Sequence, residues 1–323
     1  MAVVFVTGGT GFVGSHVVEG LVAAGHETHV IARNSSKTNL LPDGVVLHRC
    51  PLDQPDQLSD VLGFAEAFVH VAGLTSGGSR EMMFVNGTTV DLWLDALERH
   101  APLIRRFVLI SSLAAASPST MPINEDVPSS PVSVYGRSKL AGETRALAHA
   151  DRVPVTILRP PAVYGPRDKD IFLFFRFAAH GILPMIGDPC RPFSALYVKD
   201  LARAVQVAIE HPAVAGRTYF VTDGQPHTWE GFGREVARVV GRRARMLRLP
   251  AWVLRGVAGL ADGTAWLTRN SVTLSRDKAR ELLQPWVADG GRFVRDTGFV
   301  PEYDLARGVA AAAAWYRENG WIR

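Results

Sequence analysis

Val3-Val-Phe-Val-Thr-Gly-Gly-Thr-Gly-Phe-Val-Gly14 decides the fold. Its short valine-rich run reads as a buried parallel strand. Glycines at 8, 11 and 14 make the turn out of it, and from Phe12 a helical pattern buries Val13, Val17 and Leu21. Gly8 permits a tight turn with positive φ. Gly11 lets backbone approach a pyrophosphate, and Gly14 lets the helix pack on the strand. The helix N-terminus at Phe12, Val13 and Gly14 then offers free N–H groups to an anion. A glycine pattern alone is weak, but this one lies between a strand and a helix, as a dinucleotide site requires.

The alternation continues outward. Strands are expected at Glu27–Ala32, Val45–His48, Ala67–Ala72, Phe107–Ser111 and Val155–Leu158, with helices to about Leu62, over Arg80–His100 and over Val134–Ala150. Pro and Ser crowd Ser117–Val132, which reads as a loop. Such alternation gives an α/β, doubly wound parallel sheet of Rossmann type, with ligands at the strand C-termini. Past Pro160-Pro161 the pattern loosens. A phenylalanine-rich helix is expected over Asp170–Gly181, strands at Ser194–Val198 and Thr218–Thr222, and helices at Lys199–Glu210, Trp229–Val240, Ser275–Leu283 and Leu305–Asn319. The expected division is a dinucleotide-binding domain over 1–165, with part of 194–224 returning to it, and a smaller, mostly helical substrate lobe over 166–323.

The 323 residues carry a net charge of only +4, which gives no ground for expecting a nucleic-acid partner. Arg242, Arg243 and Arg245 read as a solvated face. Cys50 and Cys190 lack metal-ligand or disulfide spacing; both read as buried or semi-buried thiols, and no metal is expected. The first strand starts at once, so a signal peptide is not expected. No apolar run reaches the ~20 residues of a membrane span. The expectation is a cytoplasmic protein. Pro250–Thr268, apolar but carrying Arg255 and Asp262, reads as core, a lid, or a segment with weak membrane-surface contact.

Tyr135-Gly-Arg-Ser-Lys139 is the strongest catalytic signal. Positions i and i+4 share a helix face about 6 Å apart. A lysine there is expected to lower the tyrosine pKa from about 10, making Tyr135 an acid or base near neutrality. Ser111-Ser112 ends a strand at the same sheet edge as the glycine loop, where a hydroxyl can hold a substrate oxygen.

Together these pieces resemble the extended short-chain dehydrogenase/reductases, the NAD(P)-dependent epimerase/dehydratase superfamily. Further matching segments are Leu52-Asp53, His70-Val-Ala-Gly73, Leu158-Arg-Pro-Pro-Ala-Val-Tyr-Gly-Pro166, Arg191-Pro-Phe-Ser-Ala-Leu-Tyr-Val-Lys-Asp-Leu201 and Trp315-Tyr-Arg-Glu-Asn-Gly-Trp-Ile322. The resemblance implies a catalytic set of Ser112 (rather than Ser111), Tyr135 and Lys139. It implies that Asp53 holds the adenine amine, that Leu52, Ala72, Gly73, Pro160 and Val163 line the cofactor, and that Lys139 bonds the nicotinamide ribose. Asn86 falls where the family often has a structural or water-holding asparagine. The resemblance also implies a homodimer through helices 80–100 and 134–150.

An NAD enzyme needs a carboxylate at the end of the second strand for the ribose 2′-OH. This chain has Ala32-Arg33 there. Arg33, with Ser35 and Lys37, suits a 2′-phosphate, so NADP(H) is favoured over NAD(H). Nucleotide-sugar relatives usually carry an asparagine where Ala162 stands, and the dehydratases an acidic pair where Leu113-Ala-Ala-Ala116 follows the serine. Phe172, Phe174, Phe175, Phe177, Leu183, Met185, Ile186, Trp252, Leu254, Val257 and Trp266 make the second lobe apolar. The resemblance is closest to the 3β-hydroxysteroid-dehydrogenase and dihydroflavonol-reductase branch. The expected activity is hydride transfer between nicotinamide and a small hydrophobic carbonyl or hydroxyl compound, steroid-, flavonoid- or polyketide-like. Thr75, Leu113 and Arg191 are candidate substrate contacts. Arg191 keeps the alternative open, a nucleotide-sugar 4-epimerase or dehydratase with tightly bound NAD.

Overall fold

The computed structural model describes residues 1–254, 256 and 276–322. Its strands are β1 (Val3–Thr7), β2 (Glu27–Ala32), β3 (Val46–Arg49), β4 (Ala67–His70), β5 (Arg106–Ile110), β6 (Ser119–Ile123), β7 (Val155–Arg159), β8 (Ala162–Tyr164), β9 (Ile182–Ile186), β10 (Pro192–Tyr197), β11 (Arg217–Phe220), β12 (Pro226–Thr228), β13 (Arg245–Leu249) and β14 (Trp286–Ala288). The helices used below are α1 (Phe12–Ala23), α2 (Ser59–Leu62), α3 (Ser79–Met83), α4 (Thr89–His100), α5 (Val134–Ala148), α6 (Phe172–Ala179), α7 (Val198–Glu210), α8 (Trp229–Val240), α9 (Arg276–Leu282), α10 (Gly291–Thr297) and α11 (Leu305–Glu318).

Seven strands form one parallel sheet in the order β11-β7-β5-β4-β1-β2-β3. Successive side chains in a strand point to opposite faces. Val4 and Val6 of β1 therefore enter a core with Val17 and Leu21 of α1 and Leu201 and Val205 of α7. Phe5 enters the other face with Phe68, Phe107 and the α4 residues Trp93 and Leu94. Burial on both faces is what the unalternated valine run encodes. The doubly wound sheet expected from the sequence is present.

Two local expectations are corrected and a third is refined. Ser117–Val132 is not all loop: β6 lies within it and pairs with β14, Ser119 opposite Trp286 and Ile123 opposite Ala288, a distant partner that no local pattern signals. Past Pro161 the chain is less helical than expected, with a sheet β12-β10-β14-β6, β8 beside β10, and a β9–β13 ribbon. Arg80–His100 is helical throughout as expected, but a π-helical turn over Phe84–Thr88 joins α3 to α4. There Asn86 donates Nδ2–H to Leu74 O and to Ser138 Oγ, and its Oδ1 accepts Leu74 N–H, each at 2.8 Å. A Cβ on Gly142 would meet Asn86 O at 2.2 Å, so the widened turn nests against a glycine of α5. This is the structural role the resemblance offered for Asn86.

Phe175, Leu183 and Met185 fill a third core with Phe193, Phe232 and Tyr316; Phe172, Phe174 and Ile186 are half-buried, and Phe177 is exposed. Cys190 is exposed, unlike the buried Cys50, which corrects the expectation for that thiol. Arg242, Arg243 and Arg245 are all exposed. Of Pro250–Thr268, Trp252 is exposed and Leu254 buried; Arg255, Val257, Asp262 and Trp266 lie outside the described residues. Among the described residues no helix is long and apolar enough to cross a membrane.

Candidate functional site

The C-terminal ends of β1, β2, β4, β5 and β7 share one edge, and the glycine loop, Arg33, Ala72-Gly73, Ser111-Ser112 and Pro160 follow those strands along it. Gly8 takes φ +71°, and a Cβ there would meet Ala72 N at 2.5 Å. A Cβ on Gly14 would meet Gly8 O at 2.1 Å, so helix and strand pack this closely only through glycine. A Cβ on Gly11 would meet only Gly8 O, at 3.4 Å, which leaves open space above the loop. Gly11 caps α1 with no side chain on its N–H groups. An open cradle over an uncapped helix N-terminus fits a dinucleotide pyrophosphate.

Along the same edge, Ala72 is half-buried and Gly73 exposed; a Cβ on Gly73 would meet Lys139 Nζ at 3.0 Å. Asp53 is exposed beside half-buried Leu52, whose carbonyl accepts Trp93 Nε1–H at 2.9 Å. Arg33 and Lys37 are exposed after β2. Sequence reading missed Arg49, whose guanidinium donates to the carbonyls of Arg33 (2.7 Å) and Ser36 (3.0 Å) and so holds this loop. Pro160 is buried and its carbonyl accepts Leu113 N–H at 2.8 Å; Val163 is half-buried.

Ser111 and Ser112 separate by environment. Ser111 is buried and donates to Glu143, which also accepts Arg159 Nε–H at 2.8 Å. That ion pair anchors the end of β7 to α5, and Ser111 is tied to it. Ser112 accepts Ala114 N–H at 3.1 Å, which leaves its hydroxyl proton for the phenol of Tyr135. Ser133 caps α5 by accepting Gly136 N–H at 2.9 Å. Lys139, one turn on from Tyr135, is buried and donates to Ile110 O at 2.9 Å.

The expected lowering of the Tyr135 phenol by Lys139 is not what the structure gives. Burial pushes Tyr135 up to about 12, the Ser112 hydroxyl pulls it back in part, and Glu281 adds to the rise. Burial also lowers Lys139 to about 8, opposed by Glu143. Burial penalises both charged forms and is the largest cause of each shift. At neutral pH the phenol therefore holds its proton. His70, at the end of β4, is lowered to about 3 by burial and by Lys139, so its contact with Thr7 Oγ1 at 3.1 Å is that of a neutral ring.

The substrate candidates do not form one surface. Thr75 is exposed near the glycine edge. Leu113 is buried against Ala116, Phe220 and Ala288. Arg191 is half-buried; burial lowers it against the pull of Asp188, and its Nε–H has no hydrogen-bond partner among the described residues. Glu125 and α9 reach this region without having been anticipated: Glu125 accepts Phe220 N–H at 2.8 Å, and Asp277 accepts Val134 N–H at 2.6 Å. Neither carries a local motif.

The profile of the NAD dependent epimerase/dehydratase family matches residues 4–221. The chain is similar to the ceramide reductase of Caulobacter vibrioides, 31% identical over 99% of this chain and 96% of the relative. It is similar to the 2-alkyl-3-oxoalkanoate reductase of Stenotrophomonas maltophilia, 28% identical over 95% and 97%. Among solved structures it resembles the UDP-glucose 4-epimerase of Thermotoga maritima, with a TM-score of 0.81 at 19% identity over 98% of this chain and 99% of that one.

Proposed function

The chain belongs to the NAD-dependent epimerase/dehydratase family, and from that premise we propose that it is an NADP(H)-dependent ketoreductase acting on a hydrophobic carbonyl compound. The observation that carries the reading is the placement of Ser112 just past β5 and of Tyr135 and Lys139 one turn apart on α5, with buried Lys139 donating to Ile110 O at 2.9 Å at the end of the same strand. A protonated phenol paired with a hydroxyl is a donor pair suited to a ketone oxygen becoming an alkoxide.

A bound nicotinamide dinucleotide would supply the hydride. Gly8, Gly11 and Gly14 would admit its pyrophosphate, and Arg33 and Lys37 a 2′-phosphate. Ser112 would orient the carbonyl and Tyr135 would give its proton to the oxygen, leaving a tyrosinate that the Lys139 ammonium would stabilise; Lys139 would also bind the ribose. Two relatives are named as reductases of ceramide and of 2-alkyl-3-oxoalkanoate, which supports a lipid-like ketone as the substrate class. Loss of NADPH absorbance with long-chain 3-oxo compounds or keto-sphingolipids tests the reading; conversion of UDP-glucose with no ketone reduction overturns it. Arg191 supports the second reading, a nucleotide-sugar epimerase, because a half-buried guanidinium with an unpartnered Nε–H suits a diphosphate. Arg191→Ala abolishes nucleotide-sugar binding under that reading and spares ketone reduction under the first. The α4 and α5 faces are the surfaces we propose for a homodimer. The free, exposed Cys190 supports a reducing compartment such as the cytoplasm.

A further inference from the structure

The start of α5 is held by a helix far along the chain. Asp277 Oδ2 of α9 accepts Val134 N–H at 2.6 Å, across 143 residues. Glu281, one turn on, accepts the Ser133 hydroxyl proton. Lys278 lies between them, with Nζ 5.1 Å from the Tyr135 ring centroid and 2.7 Å from Glu281 Oε1. Glu281 is buried at 6% exposure, and its backbone carbonyl accepts Trp286 Nε1–H at 3.0 Å. Two carboxylates at i and i+4 thus face the positive end of α5, and a cation covers the ring of its second residue.

Capping does not account for this arrangement. Ser133 already accepts Gly136 N–H, and Asp277 already takes Val134 N–H. A second, buried carboxylate carries a desolvation cost that a cap has no need of. Its charge is paired with Lys278 Nζ at 2.7 Å and also acts on the Tyr135 phenol, which it disposes to keep its proton. The Lys278 ammonium over the ring acts in the opposite sense and holds the ring in place.

Resting on the reading of Tyr135 as the proton donor, we propose that Glu281 and Lys278 are positioning residues: their ion pair holds the Tyr135 ring at Ser112, and their two charges oppose each other at the phenol. Among the described residues, the other charged groups near α5's first turns are accounted for. Lys139 donates to Ile110 O on the same helix face, and Asp277 takes a backbone N–H. Glu143 and Arg159 bond each other, Arg137 is exposed, and Arg80 and Glu81 of the packed α3 are exposed.

The test titrates Tyr135 directly in the full chain, without substrate or cofactor. The tyrosinate absorbance of each chain is measured against the same chain carrying Tyr135→Phe, with circular dichroism confirming the fold at each pH. Glu281→Gln is expected to lower the Tyr135 midpoint by about one pH unit, a tenfold change in acid constant, and Lys278→Met to raise it. The alkaline limb of kcat/KM for ketone reduction moves in the same two directions. A purely structural role lowers kcat or stability and leaves the midpoint alone. The proposal is overturned if either midpoint stays at the wild-type value or both move the same way. Should Glu281→Gln not fold, Lys278→Met alone decides, by an upward shift or none. A wild-type chain that reduces no ketone removes the proposed function, while the titration still decides this proposal.

Discussion

Gly136 packs so closely on Ala114 that a Cβ at position 136 would come within 2.2 Å of the Ala114 carbonyl oxygen. This contact seats the first turn of α5 on the end of β5 and so sets Tyr135 beside Ser112. Gly136→Ala gains helix propensity of roughly 0.5–1 kcal/mol, but it must push two backbones apart, at about 1–3 kcal/mol. The expected result is a destabilised chain whose kcat falls while NADPH affinity is kept. Denaturant titration together with fluorescence-monitored NADPH binding checks both halves.

Tyr135→Phe removes the proton donor and keeps the ring under Lys278. Ketone reduction is expected to fall by about 10²- to 10⁴-fold in kcat, with NADPH binding close to wild type. Stopped-flow measurement of the hydride-transfer step separates this from slower cofactor release.

Arg33→Ala is expected to weaken NADPH binding by roughly 10- to 100-fold, the worth of one charge-assisted contact of about 1.5–3 kcal/mol, and to leave NADH binding nearly unchanged. Arg49→Ala acts in the same direction and less strongly, because Arg49 holds the Arg33 and Ser36 carbonyls. Dissociation constants for the two cofactors, measured in parallel at one salt concentration, give the ratio.

Glu143 and Arg159 form a buried ion pair with Ser111 bonded to it. Glu143→Gln strands the guanidinium, and breaking such a pair costs about 3–5 kcal/mol. Guanidinium denaturation reads the loss. Arg159→Met with Glu143→Leu, which removes both charges, is expected to recover most of it.

His149, at the end of α5, is pulled down by burial, but the hydrogen bonds it donates to Glu98 and Asp91 outweigh this and raise it above its usual value. A group raised in the folded state contributes stability that is fully present below its unfolded pKa of about 6.5 and is lost as pH rises through the folded value. Stability is therefore expected to decline from about pH 6.5 upward in wild type, and His149→Gln flattens that slope. Urea midpoints across this range measure it.

The large sheet and its ligand edge were legible because their signals are local. A valine run, three spaced glycines and a Tyr–Lys pair four apart each lie within a single strand–turn–helix stretch or helix. The β6–β14 pairing was illegible for the opposite reason: both strands are short and meet only in the folded chain. The π-helical turn at Asn86 answers to Gly142 of another helix and to Leu74, 12 residues back, and no periodicity within the helix signals either. At the site, the nearness of Ser112 and Lys139 to one end of β5 follows from a strand end and a helix spacing that are both local. The height of the Tyr135 phenol does not, because burial and Glu281 set it and neither is written near Tyr135.

The outermost strand of the parallel sheet, β11, is supplied by residues 217–220 and seals the flank of β7. A ribosome releases that strand only after some two hundred residues have emerged. Until then the sheet carries an open row of unpaired amides along β7, a template for unwanted pairing with other chains. Truncation before Arg217 thus yields not a smaller enzyme but a sticky one, and a shortened chain that ends there is expected to aggregate during synthesis.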